Sequence, residues 1–76
     1  MERAIKVGGV YRHFKGTLYC VIAVAEHTES GEKLVIYQAK EGGKVFARPL
    51  SMFLSPVDKA KYPTVTAAFR FEEVYP

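Results

Sequence analysis

The sequence predicts an all-β fold, a small five-stranded antiparallel barrel of the SH3-like type with one short helical turn before the last strand. Three observations point there. Five segments are rich in Val, Ile, Tyr and Phe, the first four are separated by short glycine-containing connections, and no stretch of the 76 residues carries a helical repeat of apolar side chains. Short connections join antiparallel neighbours, because parallel strands need a crossover of about a dozen residues or more. Five short strands are too few for a two-sheet sandwich, and a flat sheet would leave edges and one apolar face in water. A strongly bent barrel solves both problems, with an OB-type barrel as the alternative form.

Each element follows from its residues. The first strand covers 10–14, and the "FKGT" turn puts Gly16 where a positive φ closes a tight connection. The second covers 18–26 and holds the longest apolar run, "LYCVIAVA". In "EHTESGE" the loop is Glu29, Ser30 and Gly31, with Gly31 left-handed and Thr28 facing Glu32. The third strand covers 33–38, "KEGGK" turns the chain, and the fourth covers 45–48, ended by Pro49, which has no backbone donor. "SMFLS" has room for a single helical turn, with Ser51 as its cap and Met52, Phe53 and Leu54 plugging one end of the barrel. Residues 55–68, with Pro56 and Pro63, read as a loop that delivers the closing strand at 69–74. The whole chain, 1–76, reads as a single domain.

The hairpin loop sets the pairing of the second and third strands: His27 with Lys33, Glu26 with Leu34, Ala25 with Val35 and Ala23 with Tyr37. One face then carries Leu18, Cys20, Ile22, Val24, Leu34 and Ile36, a uniformly aliphatic set expected to be the core. The other carries Tyr19, Val21, Ala23, Ala25, His27, Lys33, Val35 and Tyr37. Small residues flanked by tyrosines describe a shallow groove as well as a second packed layer.

Composition narrows the classes. Hydrophobic residues make up 49% and charged residues 25% of the chain, which suits a globular domain and argues against disorder. Cys20 is the sole cysteine, so no internal disulfide forms, and its place in an apolar run predicts a buried thiol. No apolar stretch approaches the roughly 20 residues that span a bilayer, and the start lacks a secretory pattern, so a cytoplasmic protein without a membrane partner is expected. Eleven basic and eight acidic side chains leave a net charge of +3, a mild bias that is weak support for a polyanion partner.

"GVYRHFKG", Tyr19, "AEHTESGE", Val35, Tyr37, "FARPLSMF" and the later "RF" together resemble the signature of the small bacterial domain-of-unknown-function family 1653. The resemblance covers roughly residues 8–57 and the closing Arg70 and Phe71. It implies an SH3-type barrel and no established activity. The pattern maps onto Tyr11, His13, Phe14, Lys15, Gly16, Tyr19, His27, Thr28, Glu29, Tyr37, Arg48, Pro49, Met52 and Phe53. This chain departs from it at Phe46, where tryptophan is frequent, and at Ser30, where threonine is.

The chemistry-bearing residues point to binding before catalysis. His13 and His27 lie on different strands with no ligand pair at metal spacing, and a thiol within an aliphatic run is neither accessible nor activated, so no metal or other cofactor is expected and an enzyme ranks last. Tyr11 and His13 share one strand face, with Lys15 near the same rim, which suits an anion or a planar group. Arg48 either pins the acidic hairpin loop or holds a ligand carboxylate or phosphate. The candidate ligand-binding set is therefore Tyr11, His13, Lys15, Tyr19, His27, Thr28, Glu29, Tyr37 and Arg48. The expected partner is an unidentified protein, peptide or small anionic ligand, with single-stranded nucleic acid as the alternative.

Overall fold

The computed structural model describes residues 4–74, so the outermost residues of the expected 1–76 domain lie outside the described residues. Strands β1 (Val10–His13), β2 (Leu18–Glu26), β3 (Lys33–Ala39), β4 (Val45–Pro49) and β5 (Phe71–Glu73) and one helical turn, α1 (Leu50–Phe53), follow in the expected order. All five strands are antiparallel in one sheet, in the order β4-β3-β2-β1-β5. The sheet is open, with β4 and β5 as its edges. Side chains, not a ladder, draw those edges together: the Arg48 guanidinium on β4 lies 5.4 Å from the centre of the Phe71 ring on β5.

The core is aromatic. Tyr11, Val21, Val35, Tyr37, Phe53, Val57 and Phe71 are buried, and all of them but Val57 form one cluster in which Phe53 of α1 packs on side chains of the sheet. Phe53 stacks on Phe71 with 4.0 Å between ring centres and 7° between planes, and Tyr11 and Tyr37 each meet Phe53 edge-on at 5.4 Å. α1 exists to deliver that ring. Pro49 ends β4 and stands as its N-cap without a side-chain hydrogen bond, which corrects the expectation that Ser51 caps the turn. Met52 is 46% exposed, so of the three residues expected to plug the end, Phe53 does so, Leu54 packs beside it and Met52 points outward.

The core therefore lies on the face that carries tyrosine, not on the aliphatic one. Ile22, in the middle of the longest apolar run, is 46% exposed, and Cys20 is half-buried instead of buried. Two local features set which β2 residues share the tyrosine face. The hairpin loop is longer than expected: Gly31 N–H donates to the His27 carbonyl at 2.8 Å, closing one helical turn that Gly31 leaves at φ +73°. That turn places Glu26 opposite Lys33 and Ala25 opposite Leu34, one residue away from the expected pairing. A bulge at Ile22 then shifts the register again, so that Val21 pairs with Tyr37 but Ala23 with Ile36. Val21 and Val24 both end up opposite inward residues of β3, while the bend curls the sheet around the aromatic cluster. A concave face has to be filled, and rings fill it with fewer residues than aliphatic side chains.

The fifth strand is shorter than expected. Phe69 forms an isolated bridge with Pro56, and β5 proper begins at Phe71. The preceding loop is tied down by its own lysine: Lys59 Nζ donates to the carbonyls of Val65 at 2.5 Å and Ala67 at 2.7 Å. Gly9 is tight as well as buried, since a Cβ there would meet the Lys6 carbonyl oxygen at 3.0 Å and the Tyr11 ring at 3.3 Å. These contacts hold the segments on either side of β1 and β5 close to the sheet.

Urea unfolding tests which face is the core. Phe53→Ala should cost about 3–5 kcal/mol, whereas Ile22→Ala, on the convex face, should cost less than about 1 kcal/mol. The reverse ranking would mean that the aliphatic face is inside.

Candidate functional site

β1 carries its two candidate residues inward, and depth along the strand separates their roles. Tyr11 is 1% exposed, its hydroxyl accepts the Lys6 backbone N–H at 3.0 Å, and its ring lies against Phe53. It belongs to the core. His13, at the strand's end, pairs with Phe71 and meets that ring edge-on at 4.9 Å, with the Phe14 ring 4.5 Å away on another side. Its Nδ1 accepts the Lys15 backbone N–H at 3.1 Å, so the neutral imidazole carries its proton on Nε2. The tight turn that makes this possible is closed by Gly16, whose N–H donates to the His13 carbonyl at 2.7 Å.

Three cations converge on this imidazole from different parts of the chain. Arg48 arrives from β4, opposite Val35, with its guanidinium over Phe71. Arg70 precedes β5 and donates from Nε to Ser55 Oγ at 3.2 Å, while Lys15 comes from the first turn. Partial burial, followed by Arg48, Arg70 and Lys15 in decreasing order, pushes the His13 pKa below its ordinary 6.5. Glu72 lines the cavity beside His13, and among the described residues it forms no ion pair with these cations. Among the described residues the ion pair is Lys6 with Glu73, at 3.9 Å, and none of the three cations is part of it.

An aromatic row continues outward from the same imidazole. Phe14 meets Tyr62 edge-on at 4.9 Å, both rings are half-buried, and Lys15 Nζ lies 5.9 Å from the first and 5.5 Å from the second. Lys61 Nζ is 5.5 Å from Tyr62 as well. Beside this row lies a cavity of about 480 Å³ lined by Arg12, His13, Phe14, Thr66, Ala67, Ala68 and Glu72. A second depression of about 590 Å³, bounded by Thr17, Leu18, Ala39, Lys40 and Glu41, is larger but holds none of the candidate residues.

The remaining candidates divide between core and turn. Tyr37 is 5% exposed, and Tyr19 packs edge-on against Tyr37 at 5.2 Å and Phe71 at 5.8 Å, so the tyrosine face is a packed layer along β3 and not an open groove. His27, Thr28 and Glu29 are exposed at the far end of the β2–β3 hairpin. There the His27 Nδ1 accepts the N–H of Glu29 at 3.2 Å and of Ser30 at 3.3 Å, which starts the helical turn described above. His27 and His13 sit beyond opposite ends of β2, a strand of nine residues, or roughly 25–30 Å of extended chain. The structure therefore does not bring the two histidines into one site. Arg48 likewise spends its guanidinium on Phe71, not on the acidic loop.

Sequence reasoning did not place Arg70, Phe71, Phe14, Tyr62 and Lys61 at this site. The closing "RF" is a usable signal, because an antiparallel partner for β1 must end beside His13. Tyr62 and Lys61 lie in a loop without periodicity and carry no such signal. Among the described residues no three metal-ligating side chains converge, and no helix is long and apolar enough to cross a membrane.

A family model described as protein of unknown function (DUF1653) matches residues 9–73 of the chain. No curated protein and no solved structure matches it.

The geometry at His13 has a consequence for stability. With its folded-state pKa below 6.5, His13 takes up a proton more readily in the unfolded chain. Stability present above pH 6.5 is thus lost as the pH falls through 6.5 toward the lower folded value. Melting temperature should drop between pH 7.5 and 5, and the drop should be smaller in His13→Gln. Equal drops in the two proteins would refute the assignment.

Proposed function

The chain belongs to this family of unknown function, and from the geometry of its cationic rim we propose that it is a non-enzymatic binding module that holds an anionic group at His13. The observation that carries this reading is the gathering of Arg48, Arg70 and Lys15 around one half-buried imidazole, with none of the three in an ion pair among the described residues. Like charges gathered this way repel one another, and an anion seated between them relieves that repulsion while gaining charge-assisted hydrogen bonds. Both arginines are already oriented, Arg48 by the Phe71 ring and Arg70 by Ser55, so little side-chain freedom is lost on binding.

Binding without catalysis is the better reading of the same atoms. His13 takes its hydrogen bond from a backbone N–H, and a general base is usually oriented by a carboxylate and faces a nucleophile. The reading also takes the bent sheet as an SH3-like barrel completed by side chains. In its support stand the short hairpins, the helical turn after β4, and the approach of β4 to β5 through Arg48 and Phe71.

Titration with inorganic phosphate, followed by the amide and imidazole resonances, tests the proposal. Shifts should centre on His13, Lys15, Arg48 and Arg70, and the His13 pKa should rise as phosphate binds. Arg48→Ala should weaken binding by about tenfold, which is roughly 1.4 kcal/mol, and Lys40→Ala in the other depression should leave it unchanged. Shifts scattered over the surface, or equal affinities for the two variants, would overturn it.

A further inference from the structure

We infer that the anionic group held at the rim is a phosphate of a single-stranded nucleic acid whose base stacks on the Phe14–Tyr62 row; this rests on the anion-binding reading above. A lone anion at His13 employs Arg48, Arg70 and Lys15. It leaves the aromatic row, Lys61 and the adjoining cavity without a use. A nucleotide employs all of them.

The row has the make-up of a stacking platform. From Tyr62 through Phe14 and His13 to Phe71, neighbouring ring centres are 4.9, 4.5 and 4.9 Å apart. Its inner member, Phe71, is buried in the core, and its outer members are half-exposed. Lys15 lies over both outer rings and Lys61 over Tyr62, and these flexible side chains can swing from the rings to a phosphate when a base takes the ring face. The cavity of about 480 Å³ beside Phe14 has the volume of a small-molecule cleft, and Ala67 and Ala68 keep part of its wall low. Glu72 in the same wall opposes a phosphate there but suits an exocyclic amino group. Arg12 in the same wall offsets Glu72, so the cavity offers a donor and an acceptor to the edge of a neutral base, while Arg48, Arg70 and Lys15 take the phosphate.

Duplex nucleic acid fits less well, since its bases are stacked within the helix and offer no ring face to Tyr62. The modest net charge of +3 also fits a short contact with a few phosphates. Arg48, Arg70, Lys15 and Lys61 as phosphate contacts correspond to a slope of log affinity on log salt of about −2 to −3 for a single strand.

Fluorescence anisotropy of the full chain with a labelled decacytidylate, at low salt, tests this. Binding is expected, weakening with salt along that slope. Tyr62→Leu, which keeps every charge, should lower affinity at least fivefold, and Lys15→Ala with Lys61→Ala should lower it tenfold or more and make the salt slope shallower by about 1.4. A circular-dichroism melt of each variant confirms that it is folded. Absence of binding to the oligonucleotide while phosphate still moves the His13 resonances would overturn this inference and spare the anion reading. Silence toward both probes would overturn the two together. Equal affinity for a decamer duplex, or no effect of Tyr62→Leu in a folded variant, would reduce the interaction to attraction between bulk charges and overturn it as well.

Discussion

The stacking of Phe53 on Phe71 is the contact on which both the fold and the site depend. It joins the one helical turn to the last strand across the concave side of the sheet, at 4.0 Å between ring centres. Tyr11 and Tyr37 close on Phe53 from β1 and β3, and Tyr37 and Tyr19 meet Phe71. A 76-residue chain has a small interior. Concentrating it in a few rings lets five short strands bury enough surface, since each ring removes a large apolar area from water.

Phe71 also carries the core out to the surface. The ring that stacks on Phe53 inside receives the edge of His13 and the guanidinium of Arg48 at the rim. His13 and Arg48 are 35 residues apart along the chain and on strands that share no ladder, yet both are oriented against one rigid surface. The site inherits its precision from the core in this way. It also inherits a strained charge distribution, because burial against Phe71 and the neighbouring cations both work against a protonated imidazole.

The curvature that brings β4 toward β5 has its own local source. Ile22 is an extra residue in β2, and the bulge it makes bends the longest strand of the sheet. On one side of the bulge Val21 faces Tyr37, and on the other Val24 faces Val35. His27 contributes from the far end, since by accepting two backbone N–H groups it starts the helical turn that sets the β2–β3 register. Its place in the signature "AEHTESGE" is explained by that turn, without a ligand.

What the sequence by itself determined is what depends on neighbours along the chain: the strands and their order, the turns at Gly16, Gly31 and the Gly42–Gly43 pair, the stop at Pro49 and the single helical turn. His13, Lys15 and Arg48 were legible as polar residues at strand ends. Only the tertiary structure decided which face is inside. A side-chain period of two is the same for either face, so alternation groups Tyr19, Val21, Val35 and Tyr37 without saying whether that group is inside, and the packing of Phe53 and Phe71 against it decides. The tertiary structure likewise decided the company of His13, because Arg48, Arg70 and Tyr62 reach it from separate segments, by the bending of the sheet and the packing of one loop.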